Sequence, residues 1–483
     1  MKIKSYGIEM ELPVASLKDG SSAGAKDFIT DLAVHWASDN PEISTLSCKN
    51  GMIVAGFDNA YNNIEFSAGP VFHTDGGGGL GALNRLSIKA LWDISILLSK
   101  RGLGLINFSE HPAFACTQRE YAKFCLPRPI YDYWNHGRNW HHVCGIDAKA
   151  QTSPCTGVSP CNVLTALNII MGFSPAFIAL YANSPFENGR VSGFHANRLN
   201  MWRRMFHQTA YDGDNRVRRF PDKPFISLYD YFEWMLGAGT VMHAVQLMPD
   251  HFKEDRDLYV IEGRPSLFEF LLKDNWAAKA FSTGETRRIA PRPFHFEYHQ
   301  FAQFSDARIR FSLQDMDIKE LRDAVQSGDV GFDNYFTDHA AYTYIEGRVP
   351  CTNLPDRYVL SKEDKKIQDS VTISSSAMQA GLLTNHEKAL ELIRSTGWKA
   401  IKRYRYEAIR DGLTKEVAGF VENALNIAEE GLASADKWML SFPQDTLKSG
   451  MNAAARALKE YKEGVSITGL IKKRMYINTR DMN

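Results

Sequence analysis

Several common function classes find little support in this sequence. It has no net charge, because 56 Lys and Arg balance 56 Asp and Glu. A chain-wide field that would draw in nucleic acid or an anionic membrane is thereby excluded, and any cationic task falls to a few placed residues. Its seven cysteines contain no Cys-x-x-Cys pair. That excludes zinc ribbons and the common dithiol redox motif, and it suits free thiols in a reducing cytosol. No apolar run reaches membrane length unbroken. The nearest, residues 163–180, holds Asn168, Ser174 and Pro175 and reads as a buried helix. Glu9 and Glu11 stand where an export signal needs apolar residues, so a cytoplasmic protein is expected. Four glycines at 76–79 precede a helical pattern, but no Gly-Lys-Ser/Thr follows. They predict a flexible turn rather than a phosphate-binding P-loop. Internal repeats and low-complexity tracts are absent.

What is present is ordinary globular material, 44% hydrophobic and 23% charged over 483 residues. That length predicts two to three structural units, or one large domain with appended helices. Residues 2–12 alternate as a strand, 25–37 have helical spacing, and 52–66 hold short strand-like runs around Asp58 and the Asn62-Asn63 turn signal. A helix is expected over 82–100 and a strand near 104–108. A long loop rich in Pro and aromatics follows over 111–140, then a strand-like run over 140–152. Helical patterns occupy 159–180 and 227–243. From Ser374 to Lys472 helix formers dominate, with apolar residues at three and four spacing. Strands and helices fall in blocks, which predicts an α+β fold rather than a doubly wound sheet. The expected division is a catalytic domain over 1–373 with a helical C-terminal lobe, 374–483, packed on it.

The acidic residues carry the first functional signal. Glu9 and Glu11 are two apart on a strand and so share a face. Such a pair is either a solvated outer face or a divalent-cation site, since hard oxygen donors suit Mg²⁺. Asp58 and Glu65 form a second pair, and Glu65 sits in Asn-Ile-Glu-Phe, among residues that tend to be inside, where a carboxylate needs a partner. Glu346 and Arg348, again two apart on a strand-like segment, are a same-face ion pair, or a device that holds a metal beside a substrate or phosphate oxygen.

Residues 179–202, Ala-Leu-Tyr-Ala-Asn-Ser-Pro-Phe through His-Ala-Asn-Arg-Leu-Asn-Met-Trp, resemble the signature of plant-type and bacterial glutamate-cysteine ligases. Gly7 to Glu11 is similar to that family's Gly-x-Glu-x-Glu strand, and Glu65-Phe-Ser-Ala-Gly-Pro to its following strand. His111-Pro112, Leu126 to Tyr133 and Ile345-Glu-Gly-Arg match later elements in the same order. The resemblance implies a distorted, mainly antiparallel half-barrel sheet of the glutamine-synthetase type with helices outside. It also implies ATP as co-substrate, two or three Mg²⁺ ions, and ligation of the glutamate side chain to the amine of cysteine, giving gamma-glutamylcysteine. The alternative is a related ligase that joins glutamate or another acid to a different amine. By this likeness Glu9, Glu11, Asp58, Glu65 and Glu346 are metal ligands, and Arg348 contacts glutamate or the transferred phosphate. Arg198 and Trp202, with Asn183 and Ser184 of the signature, belong to the nucleotide or substrate site, and Arg128 is a further carboxylate binder. Where relatives carry a His-x-(His or Asn) strand, this chain has Asp147 and Lys149. Asp147 is then a cation ligand and Lys149 a catalytic or substrate-gripping cation, or the two form an ion pair. Expected partners are small molecules, with no nucleic acid and no membrane, in a monomer or homodimer.

Overall fold

The computed structural model describes residues 1–37, 45–48, 51–73, 78–145, 150–247 and 258–476. Its centre is an open, eight-stranded antiparallel sheet. In spatial order the strands are Ala307–Leu313, Ala340–Gly347, Thr152–Val158, Ser5–Ser16, Asn63–Phe72, Ile53–Phe57 and Thr45–Ser47; Leu103–Leu105 pairs with the far end of Ser5–Ser16. The first strand takes the central place because its side chains divide by alternation. Ile8, Met10, Leu12 and Val14 are fully buried on one face, and Glu9 and Glu11 point to the other. Helices Gly79–Ser99 and Ser374–Thr384 pack against this sheet. One apolar core runs from Ile3 to Ala454. Seven helical segments follow Ser374 among the described residues.

Four local expectations change. The strand expected over 140–152 begins only at Thr152; the described part before it, Trp140–Gly145, is a turn. Trp140 donates its indole N–H to Asp214 (2.6 Å), and His142 donates its backbone N–H to Asn135 Oδ1 (3.3 Å). These partners lie off any ladder direction. The aromatic loop at 111–140 contains two short α-helices, Gln118–Phe124 and Pro129–Asp132, and a π-helical segment, Tyr133–Gly137, the first capped by the Thr117 hydroxyl accepting from the Glu120 N–H. The helical stretch 159–180 breaks into Pro160–Gly172 and Ser174–Tyr181, bent by 47°, because Pro175 cannot donate into a continuing helix. The helix expected over 227–243 ends at Leu236, before Gly237. Among the described residues no single helix is long and apolar enough to cross a membrane; the bent pair passes only as a pair, and most of its apolar residues lie in the core. None of the seven cysteines forms a disulfide.

Candidate active site

Three carboxylates meet on the polar face of the central strand. Glu11 lies directly across from Glu65 in the antiparallel register, and Glu9 stands one same-face position along. One oxygen from each falls within 4.8 Å of the others. Asp58, in the turn between Ile53–Phe57 and Asn63–Phe72, reaches the same pocket, a cavity of about 190 Å³. The same pocket is also lined by four cations, Arg128, Arg308, Arg310 and Arg348.

The electrostatics divide the pocket in two. Burial pushes the Glu11 carboxyl well above the usual range, and Asp58, Glu65 and Glu9 add like-charge repulsion. Glu9 is raised first by burial and then by Glu346. Glu11 Oε2 is buried without a hydrogen-bond donor, a costly arrangement unless something positive meets it. A cluster of hard oxygens with one orphaned lone-pair set fits a divalent cation such as Mg²⁺. Glu346 behaves oppositely. Burial alone would raise it, but Arg308, Arg348 and Arg310 outweigh that and bring it down to about 2. Arg308 donates from Nε at 2.8 Å, Arg348 from Nη1, and Arg310 stands 3.9 Å away. Both oxygens of Glu346 are thus committed to guanidinium groups, and the structure does not bring it into the three-carboxylate group.

The remaining expected residues fall into two sets. Trp202 walls the pocket and stacks on Phe304 with ring centroids 4.9 Å apart. Arg128 also faces the pocket and is oriented by the Phe57 carbonyl (3.3 Å), the Asp58 carbonyl and Tyr131 Oη (2.9 Å). Arg198, Asn183 and Ser184 lie behind the wall. Arg198 is buried and donates to Gln151 Oε1 and to the carbonyls of Val349 (3.3 Å) and Arg348 (3.2 Å). It braces the segment that carries Arg348. Asn183 donates to Asn107 Oδ1 and the Thr352 carbonyl, each at 2.9 Å, and Ser184 Oγ accepts the Arg198 backbone N–H at 3.1 Å. The conspicuous Asn-Ser-Pro-Phe block is therefore a joint that sets the height of Arg198. Asp147 and Lys149 lie outside the described residues.

Sequence reasoning passed over Arg308 and Arg310. They stand two apart on the strand Ala307–Leu313, with Arg308 directly across from Glu346. The same period-two argument that singles out Glu9 and Glu11 applies to them. Gln151 and Phe304, two further walls, carry no comparable signal.

Comparison with known proteins adds the following. The sequence profile of glutamate-cysteine ligase family 2 matches residues 7–332. No curated protein sequence matches. Among solved structures, the glutamate–cysteine ligase of Francisella tularensis in complex with AMP aligns at 12% identity and a TM-score of 0.48, covering 98% of this chain and 87% of that one. A bifunctional glutathione synthetase from Pasteurella multocida aligns at 11% identity and a TM-score of 0.45, covering 97% of this chain and 50% of that one.

Proposed function

Because the chain belongs to glutamate-cysteine ligase family 2, we propose that it is an ATP-dependent carboxylate-amine ligase acting on the side-chain carboxylate of glutamate. The observation that carries this reading is one pocket in which three converging carboxylates face a bank of arginines. Glu9, Glu11 and Glu65, with Asp58 beside them, would hold the divalent cations; when bound, these supply positive charge to the phosphate oxygens of ATP. Arg348 and Arg308 offer N–H donors to the anionic oxygens of the acid and the transferred phosphoryl group. Glu346, shared between them, keeps both guanidinium planes fixed.

In this reading the glutamate side-chain oxygen attacks the terminal phosphorus of ATP, and ADP leaves. The amine lone pair then forms a C–N bond to the acyl carbon as the C–O bond to phosphate breaks. Orthophosphate carries away that electron pair, and the amine releases one proton. Trp202 and Phe304, stacked at the rim, would keep water from the acyl phosphate. No nucleophilic cysteine is needed. Cysteine is the first amine to try, giving gamma-glutamylcysteine, and seven cysteines without a disulfide suit the cytoplasm as the place of reaction.

The test is orthophosphate release from ATP with Mg²⁺ and glutamate, with and without added amine, beside a Glu65→Gln variant. Amine-dependent release that the variant lacks supports the ligase and its carboxylate cage. Absence of ATP cleavage with every acid tried would remove the enzyme assignment.

A further inference from the structure

Gln151, Trp202, Phe304 and Arg348 are walls of the carboxylate pocket and also of a second, larger cavity of about 980 Å³. Its charge is lopsided. The carboxylates that line it are already taken: Asp222 by Lys402, Asp306 by Arg405 (2.6 Å) and Glu407 by Arg403 (3.6 Å). Four lining cations, Arg203, Arg218, Arg219 and Lys399, make no ion pair within 4.0 Å among the described residues, and Arg219 acts on Asp222, which Lys402 already holds, only through space. They converge from three elements. Arg203 comes from helix Asn197–Met205, which also carries Arg198 and Trp202. Arg218 and Arg219 close the turn Asp212–Arg218, and Lys399 opens helix Trp398–Asp411.

Exposed cations scattered over a convex surface need no explanation, and Arg203, Arg219 and Lys399 are exposed. Here they share one concave wall with Arg218, which is half-buried and bonded only to Asn215 Oδ1 at 2.8 and 3.2 Å. Burial and the neighbouring charges of Arg219, Arg203 and Arg405 hold Arg218 down to about 10. Like charges gathered in a low-dielectric concavity focus a field that attracts anions.

A third cavity, about 990 Å³, meets the carboxylate pocket at Arg128 and Tyr131 on another side. Its walls include Tyr121, Trp140 and Phe281, and among the described Lys, Arg, Asp and Glu residues it has only Arg128 and Asp132. That lining matches a heterocyclic base far better than a polyanion. Building on the ligase reading above, we propose that the basic cavity receives the amine substrate, and that this amine is a polycarboxylate: an acidic amino acid or a short acidic peptide with a free amino group. Cysteine brings a single carboxylate and would leave most of these cations unmet. It would also fill little of a cavity at the top of the roughly 300–1,000 Å³ range of small-molecule sites. Bond making and breaking are those given above, with the peptide amino nitrogen as the nucleophile.

Two measurements test this on the full chain. The first is nucleotide-free equilibrium binding of a tri-glutamate peptide, free at its amino end and fluorescent at its carboxyl end. It is compared between the native protein, Arg218→Gln/Arg219→Gln, and Arg203→Gln/Arg219→Gln, whose exposed side chains leave the fold untouched. Binding that weakens with salt and falls about tenfold in both variants is expected. Unchanged binding in both variants, or displacement of the peptide by ATP alone, overturns the proposal. The second is orthophosphate release with glutamate and a panel of amines: alanine amide, cysteine, aspartate and Glu-Glu. The acidic amines should have the lowest KM, raised about tenfold by the double variants with the KM for ATP unchanged. A KM for ATP that rises instead would put the nucleotide in this cavity and also overturn it. If no amine supports turnover, the ligase reading fails, and the peptide binding still decides what the cavity holds.

Discussion

Replacing Glu11 by glutamine should make the metal-free protein more stable while removing its response to divalent cations. Glu11 shares with Glu9 and Glu65 a space in which one oxygen from each lies within 4.8 Å of the others. Two unit charges at that separation repel by about 3.5 kcal/mol at an effective dielectric constant of about 20. Glu11 faces two such neighbours and Asp58 besides. Pocket water and partial neutralisation reduce the effect, and the amide keeps the side chain's shape. In EDTA, Glu11→Gln is therefore expected to gain about 1–3 kcal/mol over the native protein. Excess Mg²⁺ should reverse the order, because a cation at a hundred times its Kd stabilises a competent site by about 2.7 kcal/mol. Urea unfolding followed by tryptophan fluorescence, with EDTA and with MgCl2, gives all four values. A variant less stable than the native protein in EDTA would refute the repulsion argument. Equal gains on adding Mg²⁺ would refute the assignment of Glu11 as a cation ligand.

Two further outcomes are expected. A methyl at Gly381 would lie 2.1 Å from the Ala428 carbonyl oxygen, while Gly431 makes the reciprocal close approach to the Gly381 carbonyl; Gly381→Ala should lower stability by about 1–3 kcal/mol, and an unchanged urea midpoint would mean that helices Ser374–Thr384 and Lys415–Gly431 can part at no cost. His111 is buried as a neutral ring, with Nε2–H donating to the Gly20 carbonyl (3.0 Å) and Nδ1 accepting from the Ala113 N–H (3.3 Å), and burial lowers it from 6.5 to about 4. Because its folded pKa is depressed, the unfolded chain takes up a proton between those values that the folded chain refuses. Stability should then fall as pH drops through this window, by about 1.4 kcal/mol per unit from this residue. His111→Gln should flatten the profile by that amount, and a parallel profile would show that His111 does not titrate on unfolding.

The carboxylate half of the site was legible because period-two alternation converts spacing directly into facing: Glu9 and Glu11 had to share a side, and Glu65 fell into register across from Glu11. Glu346 was legible as a partner of Arg348. Its commitment to three arginines was not, since two of them come from a strand whose pairing only the assembled sheet reveals. The Asn-Ser-Pro-Phe block attracted attention as sequence, yet Asn183 and Ser184 work by hydrogen bonds to Asn107, Thr352 and Arg198, which lie 76, 169 and 14 residues away in the chain. The expected strand before Thr152 failed for a related reason. Trp140 and His142 satisfy their polar groups through Asp214, Tyr121 and Asn135, and such side-chain anchoring leaves no trace in hydrophobic periodicity. The blocks of strands and helices pointed to an α+β fold, and the antiparallel sheet was legible only through the family resemblance. The break at Pro175 followed from its missing donor, although the helical pattern on both sides concealed it.

The Gln379 side chain joins the Pro154 carbonyl (2.9 Å), the Thr156 hydroxyl (3.0 Å) and the Ile345 carbonyl (3.2 Å), so a residue from the last third of the chain pins two neighbouring strands of the sheet together. During synthesis the ribosome delivers Pro154 some 225 residues before Gln379, a wait of roughly 10–45 s at about 5–20 residues per second. Throughout that interval the nascent chain carries a partial sheet without helix Ser374–Thr384, and for most of it without the strands Ala307–Leu313 and Ala340–Gly347 as well. The sheet is thus complete only once Gln379 has left the ribosome, and a ribosome stalled anywhere before that point leaves an open, aggregation-prone sheet rather than a smaller working protein.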